Sequence, residues 1–274
     1  MPGGPRRLAL RSASLVIPLV LGAACATPGV PDPTAPASAD AAGAPAAPAA
    51  TQRSPAELAR TLGGAVWRVE VDGCGIESGG TAFVVAPDLL VTNRHVVAFD
   101  PTPTLVDRAG GRTLRGEVVG MGDEVDLAVI RVDAELSPVL KWAPTSLLAE
   151  GQPVVALGYP DPLNTFTVSP GTLNAFDVVD GVRVGIVSDE SSDHGSSGGP
   201  LLTADGLVAG VVTEFLDGGT QNAGLSLTHD AVRAELATIL AAPRTFEEDC
   251  VGAVRGSDPI PDRLWDLCAD DRMW

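Results

Sequence analysis

The chain has 274 residues, 45% of them hydrophobic and only 4% aromatic, and its 35 acidic against 18 basic side chains leave a formal net charge of -17. Affinity for nucleic acid needs clustered Lys and Arg, and no basic run occurs here, so that class of partner is excluded and the acidity is read as serving solubility. Four cysteines without a CxxC or a close Cys and His cluster favour disulfides over zinc in an exported chain, so neither a metal nor a cofactor is expected.

Arg6, Arg7 and Arg11 precede an apolar run from Leu15 to Ala24 that ends in small residues. That is the order of a secretory signal, too short for a permanent membrane span, so residues 1–24 are expected to be a signal peptide. The text LGAAC resembles the lipobox of bacterial lipoproteins, with Cys25 as the residue to be lipidated, although Gly22 stands where that motif prefers leucine. A plain cut near Ala24 or Ala26 is the alternative, and would give a secreted protein instead of a periplasmic or cell-envelope lipoprotein. Residues 25–53, rich in Ala, Pro, Gly and Ser, cannot bury enough apolar surface to offset their ordering entropy and read as an extended tether.

From Ser54 the composition turns globular. Ser54, Pro55 and Glu57 make a capping-box start for a helix over 55–62 that Gly63 ends. Short β-branched runs follow, broken by Gly, Pro and Asp: AVWRVEV, TAFVVA, LLVTN, LRGEVVG, LAVIRV, then PVVALG, FTVS, VRVGIVS, LVAGVV and AGLSL. Many short strands with turn signals and no helices between them predict an all-β barrel or sandwich. SPVLKWAPTSLLAEGQ interrupts the pattern and reads as a join between two halves; no internal repeat stands out. Over 229–240, Val232, Leu236 and Ile239 share one face of an amphipathic helix expected to pack on the second half. Residues 241–274 form a cysteine-containing tail too short for a domain of ordinary size.

Attack by a serine hydroxyl needs a base, a group that orients the base, and donors for the oxyanion. His95 in VTNRHVV, Asp126 in DEVDLAVI and Ser197 in HGSSGGP can supply them, in the order His, Asp, Ser. Asp123 and Glu124 rival Asp126, but only Asp126 opens an apolar run that can bury and fix a carboxylate. GSSGG also satisfies the GxSxG nucleophile elbow, with Asp217 and His229 as nominal partners. That elbow must lead into a helix, however, and GGPLLTADGLVAGVV reads as a hairpin.

GGTAFVVAPDLLVTNRHVV, DLAVI, LGYP, GSSGGPLL and LVAGVVTE with AGLSLTHDAV, in this order, resemble the trypsin-like (chymotrypsin-fold) serine proteases, particularly compact bacterial periplasmic members. The resemblance runs from about Trp67 to Ile239 and implies two antiparallel β-barrels, roughly 65–135 and 150–228, within a protease domain at 54–240. It implies a serine endopeptidase acting on protein or peptide substrates, with Ser197 as nucleophile, His95 as general base then acid, and Asp126 holding the imidazole tautomer. The backbone N–H groups of Gly195 and Ser197 become the oxyanion hole, a role the glycine-rich turn suits. Ser191, Thr213 and Ser226 fall at the positions of the substrate pocket, and the absence of a clear charge among them suggests a small or uncharged P1 residue. Ser196 stands where the family usually has Asn or Asp, and His194 where a proline or apolar residue is common. Tethered relatives suggest a disulfide between Cys74 and Cys250; Cys250 with Cys268 is the alternative. A C-terminal PDZ-type peptide-binding domain is not expected, nor oligomers built on one; the expectation is a monomer, its membrane contact limited to the lipid on Cys25. The reading from another class is a catalytically inactive barrel serving as a binding or scaffold lipoprotein.

Overall fold

The structure is a computed structural model that describes residues 52–160, 165–191, 194–217 and 222–246. Helix α1 (Pro55–Leu62) is capped by Ser54, whose hydroxyl accepts the Glu57 N–H at 3.3 Å, and Pro55 sits in its first turn where a missing N–H costs nothing. Leu58 and Ala59 are its buried residues.

Six strands form the first barrel: β1 (Val66–Gly73), β2 (Ile76–Ala86), β3 (Leu89–Thr92), β4 (Thr104–Val106), β5 (Thr113–Met121) and β6 (Ala128–Val132). They close in the order β1-β2-β3-β6-β5-β4, with β1 meeting β4 through pairs such as Val69 with Leu105. The second barrel comprises β7 (Pro153–Gly158), β8 (Thr167–Val179), β9 (Val182–Ser188), β10 (Pro200–Thr203), β11 (Val208–Asp217) and β12 (Asn222–Thr228). Its order, β7-β8-β9-β12-β11-β10, repeats the first, and β7 closes on β10. The expected all-β class with two antiparallel barrels is what the chain adopts, and the doubled topology is an internal repeat that the residue text does not display.

Period-two burial explains the closure. In β1, Val69 and Val71 face inward while Glu70 and Asp72 face water, so one face of each strand supplies the core. Phe83, Leu90, Leu105 and Ile130 fill the first barrel, and Leu173, Ile186 and Leu201 the second, all fully buried. The larger core cluster continues into the second half through Leu157, Tyr159 and Val211, so the seam between the barrels is packed. The Tyr159 hydroxyl donates across it to the Val66 carbonyl at 3.1 Å.

The joining segment runs between β6 and β7, where Trp142 makes a parallel bridge to Val208 and stacks on His229 with ring centroids 5.1 Å apart. Helix α3 (His229–Ala241) starts at Thr228, whose hydroxyl accepts the Ala231 N–H at 3.2 Å. Val232 and Ile239 are buried, but the helix covers both barrels and not the second alone. A Cβ on Gly120 of β5 would stand 2.0 Å from the Ile239 side chain, and the Asp123 N–H donates to the Glu235 carboxylate at 3.2 Å. Gly120 opens a slot in the first barrel's wall that Ile239 fills, which draws the helix over the seam.

Candidate active site

Strand β3 ends at Thr92 and the chain turns into the single helical turn α2 (Arg94–Val97). Val96 and Val97 are buried and anchor this turn, which leaves the His95 ring on its outer side with 43% of the side chain exposed. A second turn, just before β6, carries Asp126. It is tightened by Gly122 N–H to the Leu127 carbonyl and Leu127 N–H to the Val125 carbonyl, both at 2.7 Å, and tied down by Arg94, whose guanidinium donates to the Gly122 carbonyl at 2.8 Å. Asp126 meets His95 as a fork: Oδ2 lies 2.6 Å from Nδ1, and Oδ1 accepts the His95 backbone N–H at 3.0 Å. Burial by itself pushes the Asp126 carboxyl up, but the charge and hydrogen bonds of His95, with the Arg94 backbone, outweigh this and hold it below its ordinary 3.8. An ionised Asp126 accepts only, so Nδ1 carries the proton and Nε2 is the ring nitrogen that acts as an acceptor. Asp123 and Glu124, its rivals in the sequence, are both exposed.

Ser197 lies in the turn between β9 and β10. Gly195 (φ 85°) and Gly198 (φ 86°) adopt the left-handed region. Gly198 is further fixed by its N–H to the Val212 carbonyl at 2.7 Å, and a Cβ there would come within 2.1 Å of the Thr81 carbonyl oxygen. The Ser197 carbonyl accepts the Thr81 N–H at 2.8 Å and the Gly195 carbonyl accepts the Thr81 hydroxyl at 2.7 Å, so the turn leans on β2 of the first barrel. The Ser197 hydroxyl donates to the Thr213 carbonyl at 3.2 Å. An O–H has one proton, so in this resting arrangement it is parked on Thr213, and rotation about χ1 must release it before it can serve a base.

Thr213, expected in the pocket, also belongs to a link between the two turns. Its hydroxyl donates to the Val211 carbonyl and accepts from Asn93 Nδ2, each at 3.1 Å, and the same Asn93 amide donates to the Asp126 carbonyl at 2.8 Å. Ser191 is exposed, and Ser226 is fully buried between Val212 of β11 and Ile186 of β9. His194 is exposed. Sequence reasoning passed over Thr81, Asn93 and Arg94, and also Glu190, a wholly buried acid whose Oε1 lies where a Cβ on Gly224 would be 2.1 Å away. A hydroxyl at Thr81 inside an apolar strand, and the polar pair Asn93–Arg94 just before the histidine, were the available signals. Cys74 is disulfide-bonded. Cys25, Cys250 and Cys268 lie outside the described residues, as do the signal segment 1–24 and most of the tether 25–53 and of the tail 241–274. A cavity of about 790 Å³ is lined by Asp88, Arg115, Arg131, Glu135 and Phe246 among others and by none of the residues just described, so its size does not mark the chemistry.

Two closed six-stranded barrels, with a His–Asp fork on one and a Gly-flanked serine turn on the other, define a chymotrypsin-fold peptidase domain. Residues 80–211 match the family described as "Trypsin-like peptidase domain". A protein of Chlamydia trachomatis named "Probable periplasmic serine endoprotease DegP-like" is 33% identical over 162 residues, which cover 57% of this chain and 32% of that protein. Among solved structures, the active form of the Rv3671c protease from M. tuberculosis is similar at a TM-score of 0.62 and 28% identity, over 71% of this chain and 88% of that one. An HtrA-type protease solved with a tripeptide, AlgWS227A, is similar at a TM-score of 0.62 and 25% identity, over 68% of this chain and 64% of that one. Residues 80–211 thus carry a trypsin-like peptidase domain, and DegP-like and HtrA-type proteases are among the proteins the chain is similar to. The chain spans about a third of the length of the curated relatives it matches.

Proposed function

We propose that the protein is a serine endopeptidase of the cell envelope that hydrolyses peptide bonds through Ser197, His95 and Asp126. The observation that carries the reading is the Asp126 fork on His95, 2.6 Å to Nδ1 and 3.0 Å to the backbone N–H, which fixes both the tautomer and the plane of the ring. Ser197 leaves the Thr213 carbonyl, gives its proton to His95 Nε2 and attacks the scissile carbonyl. The N–H groups of Gly195 and Ser197 take the developing oxyanion, and the imidazolium is stabilised by Asp126. His95 then protonates the leaving amine, the acyl group stays on Ser197, and a water deprotonated by His95 releases it.

Relatives named as periplasmic serine endoproteases support an exported location, and the signal-like segment 1–24 is consistent with it. Lipidation of Cys25 would tether the domain to a membrane through residues 25–53. The Cys74 disulfide is assigned to Cys250, and the substrate pocket to Ser191, Thr213 and Ser226, with the protein acting as a monomer on protein or peptide substrates. A fluorophosphonate probe tests the chemistry: wild type and Ser196→Ala take the label and Ser197→Ala does not. Absence of label on folded wild type refutes the reading. Mass spectrometry of the mature N-terminus and non-reducing peptide mapping test the lipid and the disulfide.

A further inference from the structure

The two residues whose N–H groups would hold the oxyanion, Gly195 and Ser197, send both of their carbonyls to one residue. The Thr81 hydroxyl donates to the Gly195 carbonyl at 2.7 Å and the Thr81 N–H donates to the Ser197 carbonyl at 2.8 Å. Thr81 is wholly buried in β2, in the wall of the other barrel, where its neighbour on β1 is Arg68. The direction of its hydroxyl proton is not free. Tyr159 N–H donates to the same oxygen at 3.1 Å, and the hydroxyl's single proton goes to the Gly195 carbonyl, since a carbonyl can only accept. The Thr81 carbonyl in turn accepts the Thr92 hydroxyl at 2.7 Å, so every polar group of the residue is used.

Gly195 needs such a restraint. At φ 85° without a side chain, it has a wide choice of ψ, and its carbonyl could swing toward the substrate side and set a partial negative charge against an oxyanion. Anchoring that carbonyl on a buried donor fixes ψ, and anchoring the Ser197 carbonyl on the same residue fixes the other end. Of the two N–H groups, that of Ser197 lies between these anchors and that of Gly195 directly precedes the first. We infer that Thr81 is a positioning residue for the oxyanion hole, through which the first barrel sets the geometry of the nucleophile turn on the second. This rests on the endopeptidase reading above.

The test compares Thr81→Val, which keeps the shape and loses the hydroxyl, with Thr81→Ser, which keeps the hydroxyl. Tyr159→Phe serves as a variant that loses a hydrogen bond across the same seam without touching Gly195. The readout is inactivation by a fluorophosphonate, in which the Ser197 Oγ–P bond forms, fluoride leaves, the serine proton passes to His95 and the phosphoryl oxygen takes the oxyanion site. Removal of a direct oxyanion donor costs about 10²- to 10³-fold, so an indirect restraint is expected to lower the maximal inactivation rate of Thr81→Val by about 10- to 100-fold, with the half-saturating probe concentration within about 3-fold of wild type. Thr81→Ser restores the rate and Tyr159→Phe leaves it unchanged. If Thr81→Val does not fold, Thr81→Ala gives the same comparison without placing a methyl against the Gly195 carbonyl. Wild type that takes no label refutes the hydrolase reading and this inference with it. Wild type that labels beside a folded Thr81→Val or Thr81→Ala that labels as fast, a Thr81→Ser that fails to recover, or a Tyr159→Phe equally slowed, overturns the role of Thr81 alone.

Discussion

Asp126→Asn is the substitution from which the mechanism has most to lose. It preserves size and both atoms of the fork, so Oδ1 can go on accepting the His95 backbone N–H that now lies at 3.0 Å. The other atom becomes an NH₂ facing Nδ1 across the 2.6 Å contact, and two donors cannot share it. Nδ1 must then be the acceptor and the proton moves to Nε2, the nitrogen that has to be bare to receive the serine proton. The loss expected from a wrong tautomer in intact geometry is about 10⁴-fold in rate, or about 5.5 kcal/mol of transition-state stabilisation. The assay is the rate of fluorophosphonate labelling, followed beside thermal unfolding to establish that the variant is folded. Asp123→Asn and Glu124→Gln, both at exposed positions of the same turn, are the matched controls and are expected to label at the wild-type rate. An Asp126→Asn protein that keeps more than about a tenth of the rate, or an Asp123→Asn protein as slow as it, would show that the orienting acid had been misassigned.

Three other outcomes follow from contacts in the structure. Gly198→Ala combines a left-handed φ of 86° with a Cβ 2.1 Å from the Thr81 carbonyl, which places it among substitutions that cost more than about 4 kcal/mol; urea unfolding of the purified variant, or its failure to accumulate folded, checks this. Tyr159→Phe removes the bond to the Val66 carbonyl and should cost about 1 kcal/mol in the same measurement; no change would mean that water replaces the hydroxyl at the seam. Burial holds the His229 imidazole below its ordinary 6.5, with Asp230 partly opposing and Arg233 adding to it. The unfolded chain therefore takes up this proton more readily. The stability this contributes is complete above 6.5 and is lost as pH falls from there toward the lower folded value. Thermal midpoints measured across this window should decline for wild type more steeply than for His229→Phe, which keeps a ring against Trp142; parallel declines would exclude His229 as the source.

The class of fold was legible because a barrel asks little of its strands beyond short apolar runs and frequent turns, and VWRVEV with its alternation and LAVIRV with its apolar run provide that openly. The shared order of the two barrels was not, since the same closure is met by unrelated residues: the first barrel closes on Val69 beside Leu105, the second on Leu201 beside Ala156. Strand β4, Thr104–Val106, is too short to carry a period and exists because β1 and β5 flank it. For the site, the sequence offered residue types in order, His, Asp and a Gly-flanked Ser. It offered no sign that Thr81 reaches Gly195 or that Asn93 reaches Thr213, contacts that span 114 and 120 positions of chain. Such partners become visible only when the strands that carry them are closed into barrels and docked.

The docking therefore bears directly on the chemistry. The proposed base and its acid, His95 and Asp126, sit on turns of the first barrel and the proposed nucleophile, Ser197, on a turn of the second, so neither barrel alone would hold a working site. Two polar links cross the seam beside it, Thr81 to the Gly195 and Ser197 carbonyls and Asn93 between the Asp126 carbonyl and the Thr213 hydroxyl. Apolar burial, through Leu157, Val211 and the Ile239 end of α3, can press two barrels together, but it is non-directional and tolerates small slips. A hydrogen bond between buried groups does not tolerate them, because a shift of about 1 Å leaves a donor or acceptor unpaired at a cost of about 1 to 3 kcal/mol. The apolar seam accordingly sets whether the barrels dock, and the polar links set the register in which they do. It is this register, more than the identity of the three side chains, that decides whether Ser197 can leave the Thr213 carbonyl and find His95.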